Sequence, residues 1–524
     1  MRGAILPVLC SLACGAAPMS ETLPPEIVPP EVMPDPPEMM PDPPICGAEI
    51  TASETVVVTQ TGAIEGSKSG PVRRFLGVPF AQPPIGDLRW QSPAPMACWT
   101  GVRAASAFGP ICPQRDEDGA VVGDEDCLTL NVYAPSGAQK APVLVWIHGG
   151  GNTQGASSNP VYDGQELAER RGVVVVSMNY RLGALGFFAL SQEGFGGNYG
   201  ILDQQAALRW VRDNIERFGG DPANVTLFGE SAGGQNALVH FAVPGSRGLF
   251  SRVIVQSGGI YGTTLEQSSA AMQEVVGAAG CASASDVASC MRAVSAHDLA
   301  AIETAVGPLS RGVRYVPVID GSIIPRNVLD LIASGEHNHV PLIIGTNADE
   351  TSRMVPVVRT EAEYEAAVTA QFGARLAVPL LLQYPASRFP TPRAALVALT
   401  TDTTWTCNAR KIARAAAAAQ TEPVFRYFFT WRVNAAIGSS HGIEVPFVFG
   451  TFASIPFTPD ATAVSLADAI QSHWTDFARA SEPGASWPRF PAGGDAAIEL
   501  GATVQPMPAG VRTADCDFFE TIAD

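Results

Sequence analysis

Nowhere in the 524-residue chain does an apolar run reach the roughly 18 residues that a membrane-spanning helix needs, so no span is expected. Basic residues are few: 33 Lys and Arg stand against 51 Asp and Glu, for a formal net charge of −18 and a pI near 4.8. Such a chain repels nucleic acid and anionic membrane surfaces, so no nucleic-acid partner is expected; the plain consequence of the charge is solubility. The ten cysteines contain no Cys-x-x-Cys, which removes the usual support for a zinc ribbon or a dithiol redox centre. A Walker lysine and a Gly-x-Gly-x-x-Gly spacing are absent too. Neither a metal nor a cofactor is expected. Histidine is scarce, with seven in the whole chain, so a histidine-dependent chemistry has few candidates.

What is present is ample apolar material, 46% of residues, enough for a large core. Arg2 and the apolar stretch 4–13 read as an export signal over residues 1–14. Ser11-Leu-Ala-Cys14 resembles a bacterial lipoprotein cleavage site. Cys14 is then the acylated residue and a lipid anchor in the cell envelope follows; the alternative is plain secretion after cleavage close by. Residues 15–50 are rich in Pro and acidic side chains, and Met33-Pro-Asp-Pro-Pro37 repeats as Met40-Pro-Asp-Pro-Pro44. Proline lacks the backbone donor and fixes φ, so this segment reads as an extended tether ahead of a domain spanning 51–524. Outside the leader eight cysteines remain, and an even number in an exported chain suggests disulfides.

After the tether, apolar strands alternate with helical stretches. Strands are expected at 142–148, 172–180, 224–228, 252–256, 341–345 and 424–429, and a helix at 201–218. That alternation predicts an α/β architecture, a mostly parallel sheet covered on both faces, with ligands beyond the carboxyl ends of the strands. Two Ala-rich regions, 260–339 and 351–408, interrupt the rhythm and read as helical cap insertions, or as extra packing around the core.

The strand at 224–228 runs into Gly229-Glu-Ser-Ala-Gly233, and a helix-compatible stretch follows. A serine between two glycines on a strand-to-helix turn resembles the nucleophile elbow of the α/β-hydrolases. The five-residue pattern alone arises by chance; its context carries the reading. Serine needs a base, usually His oriented by a carboxylate, in the chain order Ser, acid, His. With the acid at Asp349-Glu350, just past a strand, only His441 and His473 come later. His473 lies in an amphipathic helical stretch and reads as packing. His441 lies in a polar, Gly-containing loop after a strand, where catalytic groups reside. His148-Gly-Gly-Gly151 follows a strand directly, and backbone amides in such a run can face a tetrahedral oxyanion.

These features, with further segments, resemble the carboxylesterase type B family over most of 56–519. The segments are Phe75-Leu-Gly-Val-Pro-Phe-Ala81, Pro83-Pro-Ile-Gly-Asp-Leu-Arg89, Glu125-Asp-Cys-Leu-Thr-Leu-Asn-Val-Tyr133, Asn179-Tyr-Arg-Leu-Gly183, Asn198-Tyr-Gly-Ile-Leu-Asp-Gln204 and the run 441–450. The resemblance implies the α/β-hydrolase fold, with a mostly parallel central sheet flanked by helices and helical cap insertions. It implies Ser231 as nucleophile, Glu350 as acid, with Asp349 as fallback, and His441 as base. It implies oxyanion donors at the amides of Gly150, Gly151 and Ala232, and a buried polar network of Glu230 and Ser257 behind them. Thr351 stands where the family usually has Gly after the acid, a departure in the loop that holds Glu350. The resemblance also implies disulfides Cys112–Cys127, Cys281–Cys290 and Cys407–Cys516, leaving Cys46 and Cys98 as a remaining pair.

The activity implied is a serine carboxylic-ester hydrolase working through an acyl-enzyme. The segment between Cys112 and Cys127 is short and lacks Trp, and 258–264 lacks a bulky acyl-pocket Trp; both argue against a choline-ester specialist and for short-chain or aryl esters. Two alternatives stand beside it: a non-catalytic, neuroligin-like binding protein, and a specialist hydrolase of a larger natural ester, amide or carbamate.

Overall fold

The structure is a computed structural model and describes residues 46, 49–260, 262–302, 315–455 and 457–522. The leader with Cys14, nearly all of the tether, and Tyr261 within 258–264 lie outside the described residues. No described helix is long and apolar enough to cross a membrane.

Eleven strands form the main sheet: β1 (Ser67–Ser69), β2 (Val72–Pro79), β3 (Thr129–Pro135), β4 (Ala141–Ile147), β5 (Val174–Met178), β6 (Gly220–Glu230), β7 (Arg252–Gln256), β8 (Leu342–Asn347), β9 (Val424–Phe429), β10 (Ala497–Leu500) and β11 (Val504–Met507). Their spatial order is β11-β10-β9-β8-β7-β6-β4-β5-β3-β2-β1. From β5 through to β10 neighbouring strands run parallel. The edges are antiparallel, β3 on β5 and β2 on β3 at one side and β11 on β10 at the other. The apolar runs predicted the six parallel strands β4 to β9, and the short parallel strand β10 was not among them. The antiparallel edge strands escaped the reading because polar residues dilute them, as in Arg73 and Arg74 of β2.

Alternation along each central strand divides the core. Val143, Val145 and Ile147 of β4 enter one apolar layer, and Leu144 and Trp146 the other. Leu227 and Phe228 of β6, and Val255 and Ile254 of β7, divide the same way. Side chains two apart share a face, so a strand covered on both faces reads as a nearly continuous apolar run. Helices α1 (Tyr199–Asn214) and α2 (Ala232–Ala242) cover the first face. Helix α6 (Ala461–Ala480) covers the second with Leu466, Ile470, Trp474 and Phe477, and Asp460 caps it by accepting from the Ala463 amide at 2.7 Å. His473 lies on this helix and bonds the Pro483 carbonyl, a packing position as expected.

Among the described residues both insertions are largely helical. The first contains α3 (Leu265–Ala278); the second contains α4 (Pro392–Thr401) and a π-helical turn at Asp402–Thr406 that leads out of it into α5 (Cys407–Ala419). Four disulfides close the pairs Cys46–Cys98, Cys112–Cys127, Cys281–Cys290 and Cys407–Cys516. The sequence segments quoted above also meet as buried ion pairs. Arg89 is bidentate on Glu125, at 2.8 and 2.6 Å. Arg181 is bidentate on Asp203, at 2.8 and 2.7 Å.

Candidate active site

β6 ends at Glu230 and α2 begins at Ala232, which leaves one residue for the whole reversal. That residue, Ser231, has φ 57° and ψ −123°. A β-carbon there is strained, at a cost of about 1–3 kcal/mol, and the neighbours enforce it. A Cβ on Gly233 would land on the Ile147 carbonyl, and one on Gly229 would meet the Gly233 carbonyl carbon at 2.5 Å. Glycine at both positions lets α2 pack directly against β4 and β6. The Ser231 amide donates to Gln256 of β7 at 3.0 Å, and its carbonyl accepts from Gln235 at 2.8 Å.

His441 follows β9 in a turn-rich loop. Its Nδ1–H donates to Glu350 Oε2 at 2.6 Å, and its Nε2 lies 2.7 Å from Ser231 Oγ, placed to accept that proton. The carboxylate on Nδ1 fixes the tautomer that leaves Nε2 free. Glu350, wholly buried past the end of β8, takes two further donors on Oε1: Ser257 Oγ at 2.6 Å and the Asn347 amide at 2.7 Å. Asp349, the fallback acid, turns the other way onto Arg432 and the Ser439 amide. Thr351 is absorbed rather than disruptive. Its hydroxyl bonds Thr400 Oγ1 at 2.6 Å and its amide donates to Thr401 Oγ1, both on α4, so the loop after Glu350 is pinned to that helix.

A second carboxylate faces the same imidazole: Glu230 Oε1 lies 3.2 Å from His441 Nε2. Burial pushes the Glu230 carboxyl well above the usual carboxylate range, with the imidazole opposing and the Glu444 and Glu350 carboxylates adding to it. Burial alone would lower His441, but Glu230 and Glu350 outweigh it and hold its pKa above the ordinary histidine value. Glu444 is also buried and raised. It accepts from Asn347 Nδ2 at 2.5 Å and from Gln256 Nε2 at 3.1 Å.

Three residues of this assembly escaped the sequence reading. Glu444 lies three residues past His441, inside a quoted segment, and its carboxyl was the available signal. Trp405, on the π-helical turn, donates Nε1–H to the Ser257 carbonyl at 2.9 Å and sets its ring 5.0 Å from that of His441. Nothing local in the sequence marks it, because only the tertiary fold brings the turn to the site. Asn347 was hidden at the end of an apolar strand.

The glycine loop lies against Ser231: a Cβ on Gly149 would come within 3.0 Å of Ser231 Cβ. Among the described residues no acceptor takes the amides of Gly150, Gly151 or Ala232. Their directions are nonetheless set, because each peptide plane is rigid and its carbonyl is held. His148 Nδ1–H donates to Gly149 O at 2.9 Å, which orients the Gly150 amide. The Thr153 and Gln154 amides donate to Gly150 O at 3.1 Å, which orients the Gly151 amide. The Ser231 carbonyl, held by Gln235, orients that of Ala232. Burial lowers His148 to about 4, so its ring stays neutral.

Comparison with known proteins identifies relatives of the chain. A family model described as the carboxylesterase family matches residues 53–519. The chain is 38% identical over 467 residues to a fumonisin B1 esterase of Sphingopyxis macrogoltabida, covering 82% of this chain and 84% of that one. It is 36% identical over 466 residues to a para-nitrobenzyl esterase of Bacillus subtilis (strain 168), covering 83% and 92%. A solved PNB esterase structure superposes with a TM-score of 0.79 at 33% identity, over 89% of this chain and 100% of that one.

Proposed function

The chain belongs to the carboxylesterase family and is a serine ester hydrolase of the α/β-hydrolase fold; on that premise we propose that Ser231, His441 and Glu350 carry the reaction. One observation supports this most: a single imidazole bridges the strained serine and a buried carboxylate at 2.7 and 2.6 Å. Ser231 Oγ attacks the ester carbonyl while His441 Nε2 takes its proton, and Glu350 stabilises the imidazolium. The carbonyl oxygen becomes an oxyanion facing the amides of Gly150, Gly151 and Ala232. His441 then protonates the departing alcohol, leaving an acyl-Ser231. A water, deprotonated by the same imidazole, attacks that ester and releases the acid. Glu230 and Ser257 brace the site from behind.

The substrates are short-chain or aryl esters. Hydrolysis of p-nitrophenyl acetate, butyrate, octanoate and palmitate tests this. Turnover falls as the chain lengthens; a maximum at palmitate would instead identify a lipase.

The four disulfides match an oxidising compartment and an exported protein. Residues 1–14 carry the export signal, 15–50 are a tether and 51–524 the hydrolase domain; cleavage before Cys14 leaves it acylated as a lipid anchor, with plain secretion after cleavage close by as the second reading.

A further inference from the structure

The two amides of the glycine loop and the one at the head of α2 must act on a single oxyanion, yet they come from separate elements. Gly150 O accepts from Thr153 N, and the two residues between, Gly151 and Asn152, have φ 64° and 58°. Positive φ at both central positions is the pattern of a type I′ turn. Glycine adopts it freely. Asn152 is one of the few side-chain-bearing types that tolerate it, and here it is buried, with four bonds around it. Its Oδ1 accepts from Asn236 Nδ2 at 3.0 Å and lies 3.4 Å from the Tyr180 hydroxyl. Its Nδ2–H donates to the Tyr315 carbonyl at 3.2 Å, and its own carbonyl accepts from the Gly183 amide at 2.7 Å.

Asn236 is on α2, five residues past the nucleophile, so the Asn152–Asn236 bond joins the loop that bears two of the amides to the helix that bears the third. Asn236 Oδ1 is fully buried and has no hydrogen-bond partner among the described residues. An unsatisfied buried acceptor is costly, so an apolar residue at position 236 would be the cheaper choice for packing alone. We propose that Asn152 and Asn236 are a positioning pair that locks the oxyanion loop to the nucleophile helix. Neither touches the reacting atoms; both act through the amides of Gly150, Gly151 and Ala232. The inference rests on the reading of Ser231 as nucleophile.

The test compares Asn152→Gly, Asn236→Ala and the double variant with wild type and with Ser231→Ala. Glycine at 152 keeps the positive φ, so it removes the side chain without adding backbone strain. Asn236→Ala reports on the same bond from a helix that tolerates alanine. With p-nitrophenyl butyrate each single variant loses about 10- to 100-fold in kcat, since removal of a whole oxyanion donor costs about 10²–10³. KM stays within about threefold, and the acid limb of the pH profile stays in place, because the triad is untouched. The double variant loses no more than the worse single one, the signature of two residues acting through one bond. A trifluoromethyl ketone, which forms a tetrahedral adduct with the serine, loses affinity in proportion to kcat/KM, while inhibition by butyrate does not change. Losses that multiply in the double variant, that fall on KM alone, or that appear only in Tm would overturn the pair. If Ser231→Ala stays active, it is the underlying nucleophile assignment that fails; if it is dead while both Asn variants match wild type, only this inference fails.

Discussion

His441 holds the imbalance on which the chemistry turns. Two carboxylates address one imidazole, Glu350 at Nδ1 and Glu230 at Nε2, and among the described residues the second is paired with no other cation. A base raised in this way is neutral, and active, only at higher pH. The acid limb of kcat/KM therefore lies above the ordinary histidine value of about 6.5. Glu230→Gln removes the largest of the raising charges, so the limb moves to lower pH. The limb is a property of the coupled Glu230–His441 pair, not of either residue alone. A pH profile of both enzymes over pH 5–10 checks the sign; a wild-type limb at or below 6.5, or one that Glu230→Gln leaves in place, contradicts the account.

Helices and strands carry this site at a distance. The turn Asp402–Thr406 brings Trp405 onto Ser257 and His441, and Cys407, the next residue, begins α5. The Cys407–Cys516 disulfide joins α5 to α7 (Thr513–Ile522), across 109 residues of sequence. Arg410 and Arg414 add ion pairs to Glu520, and Arg388 is bidentate on Asp515. A cross-link over so long a loop stabilises mainly by constraining the unfolded chain. Replacing both cysteines with alanine lowers the unfolding free energy extrapolated from urea melts by about 2–4 kcal/mol, with a larger m because the uncross-linked chain exposes more surface. An unchanged free energy would show that the ion pairs alone hold α7.

At the scale of the whole molecule, legibility followed chemistry. Central strands were readable because both faces are covered and their buried positions are mostly apolar. Ser231, His441 and the glycine loop were readable because a strained serine, a loop histidine and bare backbone amides each need particular residue types. The edge strands were not, since polar residues break their apolar runs, as Arg73 and Arg74 do in β2 and Asn131 in β3, or the strands are short, as β1, β10 and β11 are. Trp405, Glu444 and the Asn152–Asn236 bond were not, since each depends on elements far apart in sequence meeting in space. Thr351 shows the same limit from the other side. It reads as a disturbance of the acid loop, yet Thr400 and Thr401, some fifty residues on, accommodate it.

All of this depends on one serine being the nucleophile for the entire chain. Intact-mass spectrometry after treatment with a fluorophosphonate, read alongside ester turnover, tests that most directly. The expected result is one adduct per chain, on Ser231, with activity lost in step. Ser231→Ala takes no adduct and turns over roughly 10⁴-fold more slowly or worse. A Ser231→Ala protein that keeps a tenth of wild-type activity, or an active enzyme that takes its adduct elsewhere, would contradict the assignment.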